Sequence, residues 1–154
     1  MRVALTILNL VLILILTNQD LQAQEKKSKK EKEQEYFENI KKDSIDGIYI
    51  PTDLKDCFKQ IDGFWVDSIK TQVREMTEDE FTSEAHFGFG MWMRNNWRLW
   101  GGSRLSKYFN DLGISHPDDM SGIILTSYHR YLSGKDIKLE EQISFYMAFW
   151  NQKK

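Results

Sequence analysis

The chain contains 154 residues, of which 41% are hydrophobic and 13% aromatic, so it can bury a core and is not a disordered polymer. It carries 21 Lys and Arg against 23 Asp and Glu, and this net charge of −2 argues against a dedicated nucleic-acid binder. The single cysteine, Cys57, excludes an intramolecular disulfide and a cysteine-rich zinc site.

Residues 1–23 are predicted to be a signal peptide. Arg2 supplies a short positive start, and residues 3–16 form a largely apolar run of 14 residues. A membrane-spanning helix needs about 20 apolar residues, whereas a shorter run is typical of a signal peptide. Cleavage is predicted after Ala23, so we expect an exported protein, periplasmic or secreted, without a transmembrane span. The alternative is an uncleaved leader that anchors the chain in the membrane.

Residues 24–47 are predicted to be a charged tether, either flexible or helical. Seven lysines and six acidic residues occur between residues 24 and 43, with few apolar residues to bury. A folded domain is predicted to follow over residues 48–152.

Apolar residues recur at helical spacing throughout this domain, and no long alternating pattern indicates a strand. The predicted helical segments run from Thr52 or Asp53 to Asp62, Trp65 to Glu75, Glu78 to His86 with the adjoining stretch Phe87 to Trp100, Arg104 to Leu112, Pro117 to Leu132, and Lys138 to Trp150. Cys57 falls on the apolar face of the first of these, which predicts a buried structural thiol. The predicted fold class is therefore all-α: a single compact domain of five or six short helices, preceded by a signal peptide and a charged tether.

Two long motifs occur in order, FGFGMWMRNNWRLWGGSRLSKYF (Phe87–Phe109) and GISHPDDMSGIILTSYHRYL (Gly113–Leu132). On these motifs, residues 50–134 resemble a bacterial family of domains of unknown function. A glycine commonly follows the second tryptophan of the first motif in that family, where this chain has Arg98. The resemblance implies one helical domain and carries no activity.

Asn96 is the first candidate site residue, because helical spacing places it on the apolar stripe between Trp92 and Trp100. A buried amide without hydrogen-bond partners would cost about 1–3 kcal/mol. It is therefore expected either to bond to a neighbouring backbone or to line a pocket between aromatic walls.

His116, Asp118 and Asp119 form a second group at a predicted helix start. Aspartates at this position cap a helix and interact favourably with its dipole, so a structural role is favoured. The same three residues could instead ligate a metal ion or act as acid and base, with His86 or His129 as a further ligand.

Arg94, Arg104 and Arg130 lie within or beside the two motifs. An internal pair with an aspartate, such as Arg104 with Asp119, is favoured, and the alternative is a guanidinium that receives an anionic ligand.

Trp97 and Trp100 are spaced for packing in the core. The alternative is an aromatic platform on which a sugar ring or a peptide partner stacks.

The leading hypothesis is a non-catalytic binding or interaction module of the bacterial envelope, with an unknown protein, peptide or glycan as its ligand. No cofactor, metal or nucleic-acid partner is predicted. The alternatives are a metal-assisted hydrolase that uses His116, Asp118 and Asp119, and a structural subunit of an envelope assembly. The candidate binding residues are Arg94, Asn96, Trp97, Trp100, Arg104, His116, Asp118 and Asp119.

Overall fold

A computed structural model describes residues 24 and 26–153, so the predicted signal peptide lies outside the described residues. The chain divides into two units, Met1–Tyr36 and Phe37–Lys154. Residues 26–39 form helix α1. In the part of the chain that the structure describes, every helix is too short or too polar to cross a membrane.

The second unit contains a small antiparallel hairpin of strands β1 (Ser44–Ile45) and β2 (Ile48–Tyr49), with Ile45 opposite Ile48. Asp46 and Gly47 connect the strands with φ angles of 52° and 78°. Positive φ at both residues is what a two-residue type I′ turn requires, and an Asp-Gly pair favours this turn. Because each strand has only two residues, no alternating hydrophobic pattern in the sequence predicts this hairpin.

Helices form the rest of the second unit. In chain order they are α2 (Leu54–Phe64), α3 (Asp67–Glu75), α4 (Glu78–Ala85), a π-helical segment (His86–Gly90), α5 (Met91–Asn96), α6 (Arg104–Asp111), α7 (Pro117–Leu132) and α8 (Leu139–Asn151). Because α4, the π-helical segment and α5 follow one another without a break, helices α2 to α8 form six separate helical segments. The predicted all-α fold class is confirmed.

Polar side chains cap several helices at or just before the predicted helix starts. Thr77 and Glu80 form a reciprocal capping box at the start of α4, and Ser103 caps α6 in the same way. The side chain of Asp53 accepts a hydrogen bond from the backbone of α2. These caps satisfy backbone donors that have no partner within the helix, so short sequence signals determine where these helices begin.

Helix α7 lies at the centre of the domain and contacts α2, α3, α4, α5, α6 and α8. Its apolar residues pack against large side chains from the surrounding elements, and the fully buried set includes Ile50, Ile61, Met93, Trp97, Leu105, Phe109, Ile123, Ile124 and Tyr128. Cys57 is also fully buried, as predicted, and burial raises the pKa of its thiol well above the usual value.

Helix α8 packs on the core through one side only. Leu139, Ile143 and Tyr146 are partly buried against the core. Met147 and Trp150 follow these residues on α8, but they are 45% and 39% exposed. Within the described part of the second unit, no further helix covers the outer side of α8, and several of its large side chains are exposed.

Arg98 has a φ of 53°, in the left-handed region that glycine favours. An L-residue in this conformation costs about 1 kcal/mol. The Arg98 side chain pairs with Asp46 across the exposed surface, with 2.7 Å between Nη2 and Oδ2. The chain thus forms a left-handed turn at Arg98 without a glycine.

Candidate functional site

Arg94 and Asp118 form the centre of a polar cluster between α5 and the start of α7. The Arg94 side chain is only 7% exposed, and its Nε lies 3.1 Å from Oδ1 of Asp118. Its Nη1 donates to Oγ of Ser121 at 2.8 Å, and its Nη2 donates to the carbonyl of His86 at 3.2 Å. Every nitrogen of the guanidinium therefore has an internal partner, which favours a structural role for Arg94 over the binding of an anionic ligand.

The π-helical segment provides the space for this guanidinium. A Cβ atom added at Gly90 would lie 3.2 Å from Nη1 of Arg94 and 3.3 Å from the carbonyl oxygen of Ala85. Glycine therefore allows the charged group to approach the helix backbone, although glycine is unfavourable within a helix. Single π-helical turns inside α-helices occur frequently at functional sites.

Two histidines lie on either side of the Asp118 carboxylate. Nε2 of His86 is 3.9 Å from Oδ1, and Nδ1 of His116 is 3.5 Å from Oδ2. Nδ1 of His116 also accepts a hydrogen bond from the backbone N–H of Asp118 at 3.3 Å and so caps α7. The three side chains are 35–38% exposed, so solvent reaches this side of the cluster.

Two tryptophan rings contact the ring of His116. Trp100 meets it edge-on at 5.7 Å between centroids, and Trp150 stacks on it at 5.3 Å. Nε1 of Trp150 donates to Oδ2 of Asp119 at 2.6 Å, which holds this ring in place. Trp100 is 59% exposed, contrary to its predicted packing in the core.

Phe87 extends from the π-helical segment and is 77% exposed, with its ring edge-on to His86 at 4.8 Å. We call the rings of Phe87, Trp100, His116 and Trp150 the aromatic face. Every member except Trp150 lies in one of the two sequence motifs or at its boundary.

Asn96 and Trp97 lie apart from this cluster. Nδ2 of Asn96 donates to the carbonyl of Trp92 at 2.9 Å, one turn earlier in the same helix, so the amide bonds to a neighbouring backbone. Trp97 is fully buried in the core, as its spacing predicted. Its Nε1 has no hydrogen-bond partner among the described residues.

The arginines form internal contacts, but the expected pair of Arg104 with Asp119 is wrong. Nε of Arg104 donates instead to the carbonyl of Ile50 at 2.7 Å, and Asp119 accepts from a tryptophan. Arg130 makes a two-bond contact with Glu78, with both distances 2.7 Å. The partner depends on which helix lies opposite, and spacing along the chain does not contain that information.

The residues that the alternative hypothesis offers as metal ligands do not come together in one site. Asp118 lies between His86 and His116, whereas the Asp119 carboxylate bonds to α8 and Nε2 of His129 contacts the carbonyl of Met76 at 3.0 Å. Across residues 26–153, no three His, Cys, Asp or Glu side chains are grouped so that they could hold a metal ion.

A cavity of about 570 Å³ lies between β2, α2 and the end of α7, away from the polar cluster. Its lining includes Tyr49 and Tyr131. The Tyr49 hydroxyl donates to Asp56 at 2.8 Å, and this hydrogen bond raises the pKa of Tyr49. The Tyr131 hydroxyl donates to Asp62 at 3.2 Å. Tyr131 and Asp62 are 69 residues apart, and Tyr49 and Asp56 belong to no recognisable motif. No local signal in the sequence therefore predicts the cavity.

A family model for a domain of unknown function, DUF6794, matches residues 50–132. No curated protein and no solved structure matches the chain. The matched residues cover more than half of the chain and include Arg94, Trp100 and Asp118. The expected resemblance to an uncharacterised domain family is thereby confirmed, and the chain belongs to the DUF6794 family.

Proposed function

We propose that the protein is an exported, non-catalytic binding module of the bacterial envelope, and that its aromatic face contacts a protein, peptide or glycan partner. The observation that carries this proposal is the exposure of Phe87 and Trp100, by 77% and 59%, beside a polar cluster. Exposed large apolar groups that adjoin polar groups are typical of interaction surfaces.

The aromatic face is held in position before a partner arrives. The ring of His116 contacts Trp100 and Trp150, and Trp150 is bonded to Asp119. Side chains that are already fixed lose less conformational entropy on binding, so more of the contact free energy appears as affinity. Tryptophan is also among the residues that contribute most to binding at interfaces.

The hydrogen bonds within the cluster favour binding over catalysis. The Ser121 hydroxyl accepts from Arg94 and donates to the carbonyl of Asp118 at 2.9 Å. A serine nucleophile needs a base within hydrogen-bond reach to take its proton, and here a backbone carbonyl receives that bond instead.

The binding proposal is tested with Trp100→Ala and Phe87→Ala in screens against immobilised glycans and peptides, followed by affinity measurements on any ligand found. Loss of a central aromatic contact should cost about 2 kcal/mol, which is roughly 30-fold in Kd. Phe64→Ala is the matched control, because Phe64 is also 48% exposed but packs against Trp92. Unchanged affinity in both face variants would contradict the proposal.

Export is tested by N-terminal sequencing of the protein recovered from the periplasm or the medium. A mature chain that begins at Gln24 supports removal of the leader after Ala23. A chain that retains Met1 would contradict cleavage and favour the membrane anchor.

A further inference from the structure

A groove runs along α7, with α4 and the π-helical segment on one side and α8 on the other. It consists of two adjoining cavities of about 380 and 340 Å³, which share Thr126 and Tyr146 as lining residues. We call it the α7 groove and define it by Asp79, Phe87, Gly122, Thr126, Phe145 and Tyr146. It begins beside the polar cluster at His86 and ends at Arg130.

Gly122 lies on the floor of the groove, where the Tyr146 side chain reaches from α8 to α7. A Cβ atom at Gly122 would lie 2.6 Å from the hydroxyl oxygen of Tyr146, so the absence of a side chain allows this hydroxyl to lie against α7. Phe87 and Phe145 stand at opposite sides of the groove and are 77% and 66% exposed. The groove therefore offers apolar contacts that no described part of the second unit covers.

The length of the groove matches a short helix. Gly122 and Arg130 are eight residues apart along α7, which corresponds to about 12 Å or slightly more than two helical turns. The walls are helices whose backbone groups bond within themselves. An extended peptide would therefore find no backbone hydrogen-bond partners along these walls, whereas a helical peptide satisfies its own backbone groups internally.

Carboxylates gather at the end of the groove farther from the polar cluster. Glu78 is paired with Arg130, and Glu141 lies 3.0 Å from Nζ of Lys138. Asp79 forms no salt bridge with any residue that the structure describes, and the arginine that lines the same cavity, Arg130, is already paired with Glu78. This end is complementary to a basic side chain on a partner.

We infer that the partner is a protein segment that docks in the α7 groove as an amphipathic helix, with apolar side chains at Phe87 and Phe145 and a Lys or Arg beside Asp79. Helices that dock in grooves place apolar side chains at i, i+3 or i+4, and i+7 on the contact face. The inference rests on the proposed function, because it names the partner class of the same binding module.

The first test selects binders from a displayed library of helical peptides of about 14 residues, four turns, against the full chain. We expect enriched peptides with one apolar face and a basic residue at one end. Thr126→Arg fills the groove and should weaken their binding by about tenfold or more. Thr71→Arg adds the same side chain on α3, outside the groove, and should leave the affinity unchanged.

The second test reverses a charge. Asp79→Lys should weaken the binding of peptides with a basic end by about tenfold and strengthen that of matched peptides with a Glu at that end. Asp67→Lys is the control, because Asp67 lies in the first turn of α3 as Asp79 does in α4, so both changes cost a similar helix-dipole interaction.

Several results would overturn the inference: no enriched helical peptide, enrichment of extended or proline-rich peptides, or binding that both groove variants leave unchanged. Self-association of the chain that Thr126→Arg abolishes would instead identify a second copy as the occupant. If Trp100→Ala weakens the binding of a ligand and Thr126→Arg leaves the affinity for that ligand unchanged, the proposed function holds and the inference fails. If neither variant changes the binding of any ligand, both fail.

Discussion

The contact between Arg130 and Glu78 connects α7 to the start of α4 and is expected to stabilise the fold measurably. Nε and Nη2 of Arg130 donate to the two carboxylate oxygens at 2.7 Å, and Nη1 donates to the carbonyl of Ile137 at 2.8 Å. The substitutions are Glu78→Gln, Arg130→Lys and the two together. Glu78→Gln removes the negative charge, Arg130→Lys removes the two-bond geometry, and the double variant removes both.

The magnitude follows from how far the pair is exposed. The Arg130 and Glu78 side chains are 19% and 30% exposed, between a surface pair and a buried one. Exposed pairs contribute about 0.2–1 kcal/mol, and hydrogen bonds to charged groups about 1.5–3 kcal/mol. With solvent screening, we expect an interaction free energy of about 1 kcal/mol in the double-mutant cycle. Glu78→Gln also loses a helix-dipole interaction of about 0.3–1 kcal/mol, which cancels in the cycle.

The pair also predicts how stability depends on pH. The hydrogen bond from Arg130 lowers the pKa of Glu78 below its usual 4.5. The folded state therefore holds this proton less tightly than the unfolded state, so the contribution of Glu78 is complete above the unfolded pKa. It is lost as the pH falls below 4.5 through the pKa of the folded state. Glu78→Gln should remove this part of the acid destabilisation.

The assay is urea unfolding followed by circular dichroism at neutral pH and at about pH 3, below the usual carboxyl range. An interaction free energy below about 0.3 kcal/mol, within the error of additivity, would refute the reasoning for the pair. A pH profile for Glu78→Gln that equals the profile of the unaltered chain would refute the pH argument.

Three further predictions concern packing, capping and the thiol. Gly122→Ala should destabilise the fold by about 1 kcal/mol in thermal melts, because the overlap with the Tyr146 hydroxyl outweighs the gain in helix propensity. Adding Tyr146→Phe should recover most of this loss. A Gly122→Ala variant that is more stable than the unaltered chain would contradict this. Thr77→Ala should cost about 1 kcal/mol in urea unfolding by removing the capping box, and a loss near zero would show that the box contributes nothing. Because burial raises the pKa of Cys57, thiol reagents should label it only at the rate of unfolding, and fast labelling of the folded chain would contradict its burial.

Local signals in the sequence determined the helices and most of their starts. The capping box at Thr77, the cap at Ser103 and the proline at the first position of α7 all act within one turn of the residue that carries them. Helical spacing likewise predicted that Cys57 and Trp97 are buried. Helix caps and helical spacing depend on residues three or four positions apart, so both can be predicted from a single sequence.

Spacing alone did not separate Trp97, which is buried, from Trp100, which is 59% exposed, because a residue at helical spacing is buried only if another element covers it. The partners of Arg94, Arg104 and Asp119 depended in the same way on which backbone or side chain lay opposite each of them. In the α7 groove, the Tyr146 hydroxyl lies against Gly122 while Phe87 and Phe145 stay exposed, and this arrangement depends on how α8 packs on α7. The elements themselves were thus determined by short-range propensity, and the surfaces between them by how the helices pack, since packing joins residues that are distant in the chain.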